Sequence, residues 1–153
     1  MGVGLRVGQS GYLIGRSDYL SSFFYTICHY LENKHWGSKY PIVMKKLYYG
    51  ELSFNEAEDA INEFEIIRSD LSSFLKSGTP IIWDRYDLSV QTPKWAINPN
   101  EEVTTLENYF VTCDGRDLID VFSKALNTVK VAKEKLVIEQ LNYDNALYFD
   151  ARK

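Results

Sequence analysis

The stretch SFNEAEDAINEFEIIRSDLSSFLKSG, residues 53–78, is the longest run in the chain with an unbroken helical rhythm, and its reading decides the fold. Ala57, Ile61, Phe64, Leu71 and Leu75 recur at steps of three and four, helped by Ala60, Ile67 and Phe74, so one helical face is apolar. Ser53 stands where an N-cap belongs and Glu56 follows three residues later, the spacing at which each side chain satisfies an amide of the first turn. Gly78 offers the left-handed conformation that ends a helix. The pattern predicts one helix over residues 53–77 with Phe64 in the core. Its other face is acidic: Glu56, Asp59, Glu63 and Asp70 form a stripe, with Glu58 and Glu65 beside it.

Upstream, Val3, Leu5 and Val7 alternate with Gly4 and Arg6, glycines interrupt, and an apolar run resumes at Tyr12, which predicts a β-hairpin. The glycines lack the Lys-Ser/Thr ending of a Walker motif and the GxGxxG spacing, so turn chemistry accounts for them. Ser17 or Asp18 is expected to cap a second helix that buries Leu20, Phe23, Phe24, Ile27 and Leu31 and runs to about Asn33. Residues 34–41 read as a loop holding Trp36, and Pro41 suits the first turn of a short helix that Gly50 stops.

Downstream, residues 80–83 are expected to form a short strand that leaves into a loop. Residues 91–101 are the least regular, with Trp95 inside them. Residues 109–112 suit a buried strand, Asp114 suits an N-cap, and Asp117 suits the first turn of the following helix. Residues 136–138 suit a last strand, and residues 142–153 read as a C-terminal tail. The expected class is α+β: a small mixed or antiparallel sheet with an N-terminal hairpin, and three to four helices packed mainly on one face. Without a repeat or linker, residues 1–153 are expected to form a single domain.

A chain of 153 residues buries roughly 68–70% of its unfolded surface, enough for one core without staples. Seventeen basic and 21 acidic side chains give a formal charge of −4, which argues against nucleic acid as a ligand and makes a basic partner easier to accommodate. Cys28 and Cys113 are too few for a disulfide scaffold and are expected to be buried thiols. No segment has the length of a signal-peptide core or a membrane span, so the expected location is the cytoplasm.

Asp84, Asp87, Asp114 and Asp117 cluster at expected strand ends and loops, where paired-carboxylate sites are found. Capping, turn formation and pairing with Arg85 or Arg116 account for each of them. His29 and His35 lack metal-ligand spacing, and no motif joins a nucleophile to a base. The residues name no reaction and call for no cofactor. A small hydrolase using the loop aspartates, or a structural subunit, stays open as an alternative.

Three stretches together carry a resemblance: YLENKHWGSKYPIVMKKLYYGELS over residues 30–53, Ile82-Trp83-Asp84, and NYFVTCDGRDLIDVF over residues 108–122. In this order they resemble the immunity protein 70 family of bacteria. The resemblance runs from the first strand to the helix after Gly115 and does not extend to the tail. It implies a cytoplasmic, non-enzymatic protein of polymorphic toxin systems that binds and neutralises a cognate toxin. It transfers no catalytic residue. An acidic chain with exposed aromatics suits a basic toxin surface, and a nuclease toxin is compatible with that charge. The expected partner-binding residues are Trp36, Trp83, Asp84 and Trp95 on loops, and Glu56, Asp59 and Glu63 on the acidic helix face.

Overall fold

Gly8, at φ 57°, makes the tight turn between Gly2–Val7 (β1) and Ser10–Arg16 (β2), which pair antiparallel as the hairpin the alternation predicts. The computed structural model describes residues 2–141; the expected tail over residues 142–153 lies outside the described residues. Glu51–Leu52 (β3) and Leu136–Gln140 (β4) complete a four-stranded antiparallel sheet in the order β2-β1-β4-β3. Of the two sheet types expected, the antiparallel one is found. Val3, Leu5 and Val7 of β1 are buried, and Leu52 and Leu136 join the same core. Arg6 and Glu139, with the other parity, form an ion pair at 3.1 Å on the opposite face. A bulge opposite Val3 and Gly4 turns Ile14 inward as well.

Three helices pack on this frame: Ser17–Leu31 (α1), Ala57–Leu71 (α2) and Leu118–Ala132 (α3). The α1 helix buries Leu20, Phe23, Phe24 and Ile27, α2 buries Ala57, Ala60, Phe64, Ile67 and Leu71, and α3 buries seven residues around Phe122. The expected capping box is present: Ser53 and Glu56 satisfy each other's amides ahead of a 3-10 turn, Phe54–Glu56, that leads into α2. Residues 43–47 form a short π-helix, with Val43, Met44 and Leu47 buried.

Several expectations need correcting. The long helix ends at Leu71 rather than near Ser77; Ser72 and Ser73 turn their hydroxyls back onto the carbonyls of Ser69 and Asp70, which favours a turn over another helical residue. Leu75 is therefore exposed, and it forms an isolated bridge with Thr105. No side chain caps α1, whose N-cap position is Arg16.

Residues 80–83 form no strand, because α1 claims their polar groups. Ser22 Oγ donates to the Ile82 carbonyl at 2.8 Å, and the Ile82 amide donates to Thr26 Oγ1 at 3.2 Å. Ser22 and Thr26 are fully buried hydroxyls on an otherwise apolar helix face, so they dock an extended chain where a strand would need a neighbour.

Residues 109–112 are not a strand either. Their backbone bonds close a local turn, with Thr112 N donating to Arg116 O at 2.7 Å and Leu118 N to Phe110 O at 3.0 Å. The N-cap of α3 is Asp117, which accepts from the Asp120 amide, and not Asp114. Cys28 is buried as expected, but Cys113 is exposed: its backbone is tied to the end of β2 by a 2.8 Å bond to Ile14 O.

Phe64 lies stacked on Phe122 with ring centroids 5.0 Å apart and is fully buried. Replacing it by alanine should cost about 3–5 kcal/mol in denaturant unfolding, and a loss under about 1 kcal/mol would contradict this packing.

Candidate functional site

Between α2 and α3 the chain runs through residues 72–117 with only two 3-10 turns, Lys94–Ala96 and Leu106–Asn108. Side-chain bonds give this long loop its shape. Trp83 Nε1 donates to Thr92 Oγ1 at 2.9 Å, Asn98 Nδ2 to Tyr109 O at 3.0 Å, and Tyr109 Oη to Ala96 O at 3.2 Å. Asp84 accepts from the amides of Tyr86 and Asp87, a local turn that points the next residues outward. Of the ten large hydrophobic side chains exposed among the described residues, six fall here: Leu75, Tyr86, Leu88, Val90, Trp95 and Ile97. Tyr86 is 85% exposed and Ile97 52%. The loop thus carries more than half of these side chains.

The tryptophans named from sequence are drawn toward this loop. Trp95, exposed, meets Trp83 edge to face at 5.7 Å, and the Arg16 guanidinium lies 3.8 Å from its ring centroid. Trp36 is half-buried and donates to Met44 O at 2.8 Å, while Arg85 covers its ring at 3.9 Å. Sequence reasoning found the tryptophans but not Tyr86, Leu88, Val90 and Ile97. Their signal was a set of apolar residues, Tyr86, Leu88 and Val90 at every second position and Ile97 further on, in a stretch with neither helical nor strand neighbours.

Beside Trp95 the loop, the end of β2 and residues 111–113 enclose a cavity of about 280 Å³, walled by Ile14, Tyr19 and Ile97 among others. A second cavity of about 380 Å³ lies at the start of α3 and includes Glu102, Asn108 and Asp117 in its wall.

The acidic stripe of α2 has other employment. Glu63 is half-buried and accepts from the amides of Ile42 at 3.2 Å and Val43 at 2.8 Å, so it anchors the π-helix; burial pushes its carboxyl above the ordinary range. Glu56 serves the capping box and stands 3.8 Å from Lys46. Asp70 binds Lys39 Nζ at 2.6 Å and Tyr40 Oη at 2.5 Å, and Glu58 pairs with Lys130. Asp59 is exposed.

The loop aspartates are engaged as well: Asp87 accepts from Ser89, Asp114 pairs with Thr112 and Arg116, and Asp117 pairs with Arg68 at 3.1 Å. Burial raises the Asp117 carboxyl above the ordinary range, against the pull of its partners. His29 packs edge-on to Tyr30 at 4.5 Å, and among the described residues no three His, Cys, Asp or Glu side chains gather to hold a metal ion. No helix among them is long and apolar enough to cross a membrane.

The arrangement is that of an α+β domain whose main irregular loop presents apolar side chains and whose loop carboxylates serve turns, a cap and ion pairs. The family model described as immunity protein 70 matches residues 5–138, so the chain belongs to that family. The match reaches into β4, beyond the stretches that carried the resemblance in sequence. No curated protein and no solved structure matches the chain.

The Asp70 clamp gives a pH dependence. The hydrogen bond from Lys39, then that from Tyr40, holds the Asp70 carboxyl below its ordinary value, so the stabilisation is present above the unfolded carboxylate pKa and is lost as pH falls through the folded one. The stability difference between the unaltered chain and Asp70→Asn should therefore shrink as pH falls from about 7 to about 3. A difference that stays constant or widens would contradict the clamp.

Proposed function

We propose that this chain is a stoichiometric inhibitor: a single-domain, cytoplasmic immunity protein that binds one cognate bacterial toxin domain and blocks it by protein–protein contact. Membership of the immunity protein 70 family over residues 5–138 carries this reading. The exposed apolar loop supports it, because a protein that acts by covering another needs apolar anchors that its own core leaves unused. Engagement of Asp84, Asp87, Asp114 and Asp117 in turns, a cap and ion pairs supports a non-enzymatic role.

The formal charge of −4 favours a toxin of basic character, a nuclease among them, since opposite net charge speeds encounter. Trp95 and Trp83 on the loop are the first of the named residues to expect at such a contact, with Asp84 setting the loop's turn and Trp36 held behind Arg85. On α2, Asp59 is free of the structural duties of Glu56 and Glu63 and would steer association at most.

Titration separates binding from turnover. Toxin activity in vitro should fall in proportion to added chain and vanish near about one equivalent, as it does for tight one-to-one binding. Co-expression should also restore growth of cells that make the toxin. Full protection at a small fraction of an equivalent would indicate turnover and contradict the inhibitor, and no protection at any ratio would remove the immunity assignment.

A further inference from the structure

The cavity beside Trp95 and the cavity at the start of α3 share Asn98 and Val111 in their walls, so they lie side by side with two kinds of lining. The first part offers carbon. Ile14 and Tyr19 form its wall, while Trp95, 47% exposed, and Ile97 stand open to solvent. A ring entering there would meet apolar surface and the edge of an indole, the setting in which aromatic anchors gain most.

The second part has two acceptors in its wall that the chain leaves without a donor. Asn108 Oδ1 and Asp117 Oδ1 are both buried and have no hydrogen-bond partner among the described residues. Asp117 uses only its other oxygen, which takes Arg68 and the Asp120 amide. Leaving a buried acceptor unmade destabilises the free chain, and a donor that arrives with a ligand restores the missing bond.

The nearby cations do not fill that need. Arg68 divides itself between Asp117 Oδ2 and Asp120, Arg16 between Asp18 and the Trp95 ring, and Arg116 pairs with Asp114. Glu102, exposed on the same wall, adds negative charge. The group this part suits is therefore a donor that carries positive charge, and an anion would face a carboxylate and unpaired oxygens.

We propose that the two adjoining cavities are the docking site for a toxin segment that sets an aromatic side chain beside a Lys or Arg. The ring enters next to Trp95 and Ile97, and the cationic group reaches Asn108 and Asp117. This rests on the inhibitor reading and goes beyond it by naming the surface and the chemistry of what it receives. Complementarity places the two prongs in order: apolar toward β2, cationic toward α3.

Two measurements on the full chain test it. In the first, blocked Trp-Lys and Trp-Glu dipeptides are titrated into isotope-labelled protein and followed by NMR. Trp-Lys should shift the amide signals of Trp95, Ile97, Asn108 and Val111, and Trp-Glu should shift them several-fold less. Equal shifts with both, or shifts confined to other residues, would overturn the proposal.

In the second, Ile97→Asp and Asn108→Ala are compared with the unaltered chain for toxin affinity and melting temperature. Each should weaken toxin binding about tenfold or more, as expected of residues that anchor a partner, and Ile97→Asp, exposed in the free chain, should leave the melting temperature unchanged. Unchanged affinity in both variants would overturn the docking site while the inhibitor reading stands. Failure of the unaltered chain to bind toxin would remove that reading, and the dipeptide titration would still decide the surface. Self-association of the free chain that Ile97→Asp abolishes would assign the cavities to a second copy and overturn the proposal.

Discussion

The fold depends on one aromatic stack. Phe122 of α3 lies nearly parallel to Phe64 of α2 at 5.0 Å, and Phe23 of α1 lies parallel to both at 6.2 and 6.5 Å. Phe110 closes the group edge-on to Phe23 at 5.1 Å. Three helices far apart in sequence and the end of the irregular loop thus share a single hydrophobic contact, with aromatic geometry adding to the area buried. The loop inherits its position from this stack: Tyr19, one turn before Phe23, touches Phe110, Trp83 and Trp95 at 5.7, 6.0 and 6.4 Å. The exposed apolar residues are therefore presented from a packed base, which would lower the ordering cost of the proposed binding.

Charge in this protein is largely internal carpentry. Glu32 is nine-tenths or more buried, at 3% exposure, and receives the amides of Gly37, Lys39 and Tyr40 at 2.9–3.0 Å, so one carboxylate shapes the turn that carries Trp36. Glu63 performs the same service for Ile42 and Val43. A carboxylate on a helix face therefore says little about docking until its hydrogen bonds are known. In this chain the acidic stripe faces both ways: Glu63 holds neighbouring backbone, while Asp59 meets water.

The legibility of the sequence followed the range of the interactions. The hairpin, the capping box and the apolar faces of α1 and α2 depend on neighbours within a few positions, and the spacing of Val3, Leu5 and Val7 or of Phe23 and Ile27 carries that information. The strands expected at residues 80–83 and 109–112 failed for a long-range reason. Both are apolar and β-branched or aromatic, but their polar backbone is taken by Ser22 and Thr26 in one case and by the turn at Arg116 in the other. Period alone also overran α2, because Phe74 and Leu75 keep the helical spacing after Ser72 and Ser73 have ended the helix. At the candidate site the three tryptophans were legible by size and by their loop setting. The cavities were not, since they join β2, the loop and the start of α3, segments separated by most of the chain.

The central proposal is that the apolar loop packed on Tyr19 and Phe110, and not the acidic face of α2, is the part of this chain that would meet a toxin. Hydrogen–deuterium exchange of the full chain, alone and saturated with toxin, reads both surfaces in one experiment. The account predicts slower exchange on binding over residues 86–99 and 108–113, with little change along the exposed side of α2. Slower exchange confined to the exposed side of α2, with the loop unaffected, would contradict it.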